Sequence, residues 1–130
     1  VSDSEPIFVT EAMALGLHRV SLERHGGLDG LRDGNAFRSA LAAGRNAWNY
    51  GGADLHGVAA CYAFHLAESQ AFIDGNKRTA VACAAVFLLL NGHRDSSQDM
   101  VLYDAMIAIA RHELDKPGLA ALLRRQFPRA

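Results

Sequence analysis

Gln70-Ala71-Phe72-Ile73-Asp74-Gly75-Asn76-Lys77-Arg78-Thr79 leads straight into the apolar run Thr79–Leu90. A turn-forming Asp-Gly-Asn followed by about a dozen apolar residues reads as a loop feeding a buried helix, over about Asn76 to Asn91. A helix apolar on nearly all sides belongs in the middle of a bundle. The run is too short to cross a membrane, which takes about 18 residues or more. The segment also carries chemistry. The first amides of a helix have no internal partners and bear partial positive charge, a ready site for an anion. Gly75 removes a side chain where a phosphate needs close backbone approach, and Asn76 can cap the helix. Lys77 and Arg78 place two cations on the first turn, where the helix dipole disfavours them. That placement points to an anionic partner. Asp74 offers a hard oxygen to Mg²⁺, the usual companion of nucleotide phosphates, and Phe72 anchors the loop in the core.

Outward from this stretch the pattern stays helical, with little period-2 alternation and few β-branched clusters. A first helix is expected over about Thr10 to Arg24. Thr10 is its N-cap, Met13, Leu17 and Val20 face inward, Leu15 and Leu22 widen the stripe, and Gly26-Gly27 end it. A second spans about Gly34 to Ala47 behind Asp33 or Asn35, and a third about Asp54 to Glu68. Beyond Gly92, Ser96 and Asp99 resemble a capping box before a fifth, about Asp99 to His112. Pro117 opens a sixth, about Lys116 to Phe127, whose end is basic at Arg124 and Arg125. The 130 residues are half hydrophobic and 21% charged. They read as one all-α domain over 1–130, with its core at about 10–125.

Composition narrows the function. A net charge of −1 gives no broad basic field for a nucleic acid or an anionic membrane. Cys61 and Cys83 lie far apart in apolar helical patterns and read as buried thiols of a cytoplasmic protein. The six histidines show no metal-ligand spacing. Trp48 and Tyr50 are expected to pack against the core. The Leu17/Val20 face is either core-facing or a groove for a partner segment.

The motif stretch resembles that of the Fic/Doc family, His-x-Phe-x-(Asp/Glu/Ala)-(Gly/Ala)-Asn-(Gly/Lys)-Arg, at Phe72, Asp74, Gly75, Asn76, Lys77 and Arg78. Gly26-Gly27-Leu28-Asp29-Gly30-Leu31-Arg32-Asp33 is similar to the first loop of Doc-type members. Ser39-Ala40-Leu41-Ala42, Tyr50-Gly51 with Asp54-Leu55, and Phe87-Leu88 with Asn91-Gly92 extend the likeness over roughly residues 10 to 125. AMP-transferring members usually have a second glycine after the asparagine and a further arginine three residues after the first. Here those positions hold Lys77 and Val81, as in the Doc or "death on curing" toxins.

The resemblance implies a compact helical fold and a phosphotransferase. It implies that the terminal phosphate of ATP, with Mg²⁺, moves to a hydroxyl of a translation elongation factor, and that an antitoxin binds through its C-terminal segment. In that scheme Asp74 binds the metal or orients the hydroxyl, Gly75 and Asn76 cradle phosphate, and Lys77 and Arg78 neutralise the transferred group. AMP transfer and a silent nucleotide- or antitoxin-binding module are the alternatives.

One position departs from the pattern. The family's histidine, its general base, is Gln70 here. A carboxamide cannot take up a proton at neutral pH, and losing a general base costs about 10²–10⁴ in rate. The implied enzyme is therefore impaired at catalysis but not at phosphate binding. Three readings of Gln70 stay open: an introduced knock-out, a natural variant with weak transfer, or compensation by another base such as His65.

Overall fold

Short polar side chains set where the helices begin. In the computed structural model, which describes residues 4–130, α1 covers Glu11–His25, and Thr10 accepts a hydrogen bond from the Met13 amide. α2 is Gly34–Asn49 behind Asp33, and α3 is Leu55–Ser69 behind Asp54. α6 is Lys116–Gln126 behind Asp115, with Pro117 in its first turn. Each of these aspartates accepts from the amide three residues on, which satisfies one otherwise unpaired donor. α4, Asn76–Leu90, and α5, Val101–Ala110, start instead after left-handed residues, Gly75 at φ 83° and Met100 at φ 68°, with no capping side chain.

Among the described residues the architecture is all-α, and the buried side chains form one continuous core. α3 packs against α2, α4, α5 and α6, and α4 packs against α1, α3 and α5. The apolar helix after the motif loop thus shares the centre with the helix before it. Small residues let this happen. Ala59, Ala60, Ala63 and Ala67 of α3 are buried, and Gly44 of α2 lies against Tyr62, where an added Cβ would come within 2.7 Å of the ring. Tyr62 in turn accepts from the Val9 amide at 3.2 Å. Asn91 clips the chain entering α1 to the end of α4. Its Oδ1 accepts from the Ile7 amide at 2.8 Å, and its Nδ2 donates to the Ile7 carbonyl at 2.9 Å.

Several expectations shift. Met13 and Leu17 pack partly on the core as expected, but the fully buried face of α1 lies one residue later than the apolar spacing suggests. Ala14, His18 and Ser21 are buried, while Leu15 and Val20 are exposed. His18 tolerates burial because the motif loop gives it a hydrogen-bond partner. The Ser96/Asp99 capping box does not form. The Ser96 hydroxyl donates to the Gln126 carbonyl at 2.7 Å, which ties the loop to the end of α6, and α5 begins only at Val101. Asn76 is the first residue of α4, not its cap, since Gly75 holds the cap position. Leu89 and Leu90 at the end of α4 are exposed, so that helix is wrapped on most sides but not all. Trp48 packs on the core, whereas Tyr50 is 86% exposed. Cys61 and Cys83 are free and buried, and burial pushes the Cys83 thiol up to about 12. No helix among the described residues is long and apolar enough to cross a membrane.

Two tests follow from this packing. Gly44→Ala should lower the urea midpoint by an amount equivalent to about 1–3 kcal/mol, as a buried clash with Tyr62 requires. The second concerns acid. Burial, and then Lys116, hold the His65 imidazole below its ordinary value, and burial followed by His56 does the same for His93. A lowered imidazole stabilises the fold above its unfolded pKa of about 6.5, and that stability is lost as pH falls through this value toward the folded one. The midpoint should therefore drop between about pH 7 and pH 5. The drop should be smaller in the His65→Gln/His93→Gln double variant.

Candidate functional site

The motif loop is fixed from both sides. Phe72 is 2% exposed. Its ring stacks on His18 at 3.8 Å and meets Phe37 edge-on at 5.4 Å. The Asn76 side chain closes the loop over it, accepting from the Phe72 amide at 3.0 Å and donating to the Phe72 carbonyl at 2.9 Å. That carboxamide is thereby occupied within the loop, which leaves the backbone of Asn76, rather than its side chain, for a ligand. His18 donates from Nε2 to the Asp74 carbonyl at 2.8 Å, so one buried imidazole holds both the ring and the turn.

A second loop lies alongside. Ile73 donates to the Gly30 carbonyl, and Arg32 and Asp33 both donate to the Ala71 carbonyl, at 3.0, 2.7 and 3.0 Å. The Asp74 carboxylate reaches across to accept from the Leu28 amide at 2.7 Å through Oδ2. Gly27 permits this approach, since a Cβ there would sit 3.0 Å from that of Asp74. Gly75 has a different reason from the one its spacing suggests. At φ 83° it is left-handed, and an added Cβ would point at the His18 ring, 3.3 Å from Cδ2, and at Leu22. Backbone conformation and packing under the loop require the glycine there.

Above the loop opens a cleft of about 400 Å³. Gln70, Asp74, Gly75, Asn76, Lys77 and Arg78 all line it, together with Ser21, His25 and Tyr103. The six motif positions other than Phe72 therefore converge, and Phe72 supports them from the core. No side chain caps the start of α4, so the uncapped amides and two cations face the same space. An anion is the complement of that arrangement. Gln70 caps α3 in the left-handed region, at φ 53°, and its carbonyl accepts from Arg32 Nη2. Its exposed side chain borders the cleft.

Three cleft residues escape sequence reasoning. His25 ends α1 with Nε2 3.2 Å from Arg78 Nη1. The Arg78 guanidinium lies over the Tyr103 ring, 4.5 Å from its centroid. Ser21 occupies the buried face of α1 that the apolar spacing misplaces. His65 lies elsewhere. Its Nε2 accepts from Lys116 Nζ at 2.8 Å, and it lines a separate cavity with Ala36, Ser39 and Glu68.

Beside the cleft runs an apolar groove of about 350 Å³ lined by Leu17, Val20, Val81 and Ala82, and it shares Ser21, His25, Arg78 and Tyr103 with the cleft. Among the described residues no three His, Cys, Asp or Glu side chains cluster as a metal would require. A single carboxylate at the cleft suits Mg²⁺, which keeps several waters and takes most of its protein contacts through one or two carboxylates while phosphates complete its shell.

A model described as the Fic/DOC family matches residues 8–88. Over 116 residues, 87% of this chain and 90% of the other, the sequence is 32% identical to the protein of Escherichia phage P1 named Protein kinase doc. The family match takes in α1, the motif loop, the asparagine clasp and the basic first turn of α4, and ends before Tyr103 of α5. The chain belongs to the Fic/DOC family, as a Doc-type member.

Proposed function

We propose that this chain is a Doc-type toxin and protein phosphotransferase that moves the terminal phosphate of ATP to a hydroxyl of a translation elongation factor. The observation that carries the reading is the convergence of Asp74, Gly75, Asn76, Lys77 and Arg78 on one cleft at the uncapped start of α4. The relative named as a protein kinase supports phosphate rather than AMP as the transferred group. So does Lys77 where AMP-transferring members usually have glycine.

Roles follow from position. The first amides of α4, at Gly75, Asn76 and Lys77, receive phosphate oxygens. Lys77 and Arg78 offset the charge that gathers on the transferred group. Asp74 keeps one oxygen on Leu28, and its other oxygen would hold Mg²⁺, which would supply positive charge against the phosphates of ATP. Gln70 hydrogen-bonds the incoming hydroxyl without taking its proton, so nucleotide binding persists while the proton needs another acceptor. The groove along Leu17, Val20 and Val81 receives the C-terminal segment of an antitoxin. Because it shares Arg78, His25 and Tyr103 with the cleft, a segment seated there obstructs the phosphate site.

Incubation with Mg²⁺, bacterial elongation factor and ATP labelled at either the terminal or the first phosphate tests this. Terminal label alone should reach the factor. First-phosphate label would make the chain an AMP transferase, and nucleotide binding without any label would make it a silent module. Lys77→Ala and Arg78→Ala should each lower transfer by about 10²–10³-fold, the usual loss when a donor to developing charge is removed. Val20→Asp should weaken antitoxin binding about tenfold or more, a change of about 1.4 kcal/mol, with ATP binding unchanged in the same titration.

A further inference from the structure

A phosphoryl transfer in this cleft needs a proton acceptor, and the carboxamide at position 70 is not one. The ionisable side chains that line the cleft are His25, Asp74, Lys77, Arg78 and Tyr103. Lys77 and Arg78 are cations, and the Tyr103 ring faces the Arg78 guanidinium. Asp74 gives one oxygen to the Leu28 amide and, in the reading above, the other to Mg²⁺. His65, the histidine nearest the motif in sequence, is turned to Lys116 and lines a different cavity. His25 is left.

Its placement is specific. His25 is the last residue of α1, and the chain turns away at once through Gly26 at φ 78°. The exposed imidazole is thereby held at the rim of the cleft, beside the side chain assigned to the transferred phosphate. Its Nε2 lies 3.2 Å from Arg78 Nη1. Arginine has donors only, so Nε2 is the acceptor and carries a lone pair aimed at the guanidinium. The neutral ring has its proton on Nδ1. A neutral imidazole nitrogen with a free lone pair is a proton acceptor, which neither a carboxamide nor a guanidinium is.

We propose that His25 is the general base of this protein, in place of the motif histidine that Gln70 replaces. The proposal rests on the phosphotransfer reading. In the free protein the Arg78 N–H covers the Nε2 lone pair. A phosphate entering the cleft draws the guanidinium toward itself and uncovers Nε2, so the base is free only when the nucleotide is in place. The substrate hydroxyl then gives its proton to Nε2 as its oxygen bonds to the terminal phosphorus. The bond from that phosphorus to the bridging oxygen breaks, ADP leaves with the electron pair, and the imidazolium returns the proton to solvent.

The test compares the unaltered chain, His25→Gln, Gln70→His and the double variant, each with Mg²⁺, bacterial elongation factor and terminally labelled ATP from about pH 5.5 to 9, the range in which an imidazole base titrates. The unaltered chain should transfer label with an acid limb of one proton. His25→Gln should lose about 10²–10⁴ in kcat, the usual cost of removing a general base. It should also lose the acid limb while its ATP affinity is unchanged. Adding Gln70→His to His25→Gln should restore transfer, which also shows that the His25 variant folds. In nitrogen-15 spectra, MgATP should shift the Nε2 resonance of His25 as the Arg78 hydrogen bond breaks.

Equal rates and pH profiles for the unaltered chain and His25→Gln would overturn the proposal. So would an Nε2 resonance indifferent to MgATP. If only Gln70→His transfers label, His25 is not the base and the phosphotransferase reading stands. If no variant labels the factor and none binds ATP, the phosphotransferase reading falls and the proposal with it.

Discussion

The cleft depends on the burial of the Phe72 ring between His18 and Phe37. An aromatic ring at 2% exposure contributes a large share of local apolar burial, on the order of 2–3 kcal/mol. It pins a loop in which Asp74, Gly75 and Asn76 are polar or glycine. The Asn76 carboxamide pairs both backbone groups of Phe72, so the loop can enter the core without leaving an unpaired donor or acceptor. His18 adds the third restraint by stacking on the ring and bonding the Asp74 carbonyl. Remove the ring, and Gly75 loses the support beneath the turn that starts α4.

With the loop fixed, the electrostatics of the cleft follow from helix geometry. α4 begins at a left-handed glycine with no capping side chain, so its first amides stay unpaired. Lys77 and Arg78 come next, unfavourable for an isolated helix dipole and favourable once an anion arrives. Arg78 is held in the meantime by contacts from two other helices, the His25 imidazole from α1 and the Tyr103 ring from α5. In the ligand-free protein the guanidinium is thereby held at the edge of the cleft it lines. The same three residues border the apolar groove, so the cleft and the groove meet along one edge.

Much of the fold is legible in the sequence because helix starts are local events. Thr10, Asp33, Asp54 and Asp115 each precede a helix and bond the amide three residues on, and each signal lies within a few residues of its effect. The site was legible for the same reason. Residues 70–78 are contiguous, and a single loop with one helical turn brings them together. Where local signals mislead, a distant partner intervenes. Ser96 has the chemistry of a cap, but its hydroxyl meets the Gln126 carbonyl instead. Val20 and Leu15 have the chemistry of a core, but α1 lies at the side of the bundle and buries Ala14, His18 and Ser21 instead, with His18 against the motif loop.

The sequence alone determined six helices, a central one after the motif, and a loop with a basic first turn at its head, because periodicity, caps and glycine conformations act over a few residues. Only the tertiary structure decided which side chains surround that loop. His25 and Tyr103 stand 53 residues before and 25 residues after Arg78 in the chain, and no local pattern marks either. They reach it because α1 and α5 both pack on α4. The tertiary structure likewise sent His65, five residues from the motif, to Lys116 and away from the cleft. Proximity along a chain fixes which residues share a turn, whereas the packing of helices fixes which residues share a site.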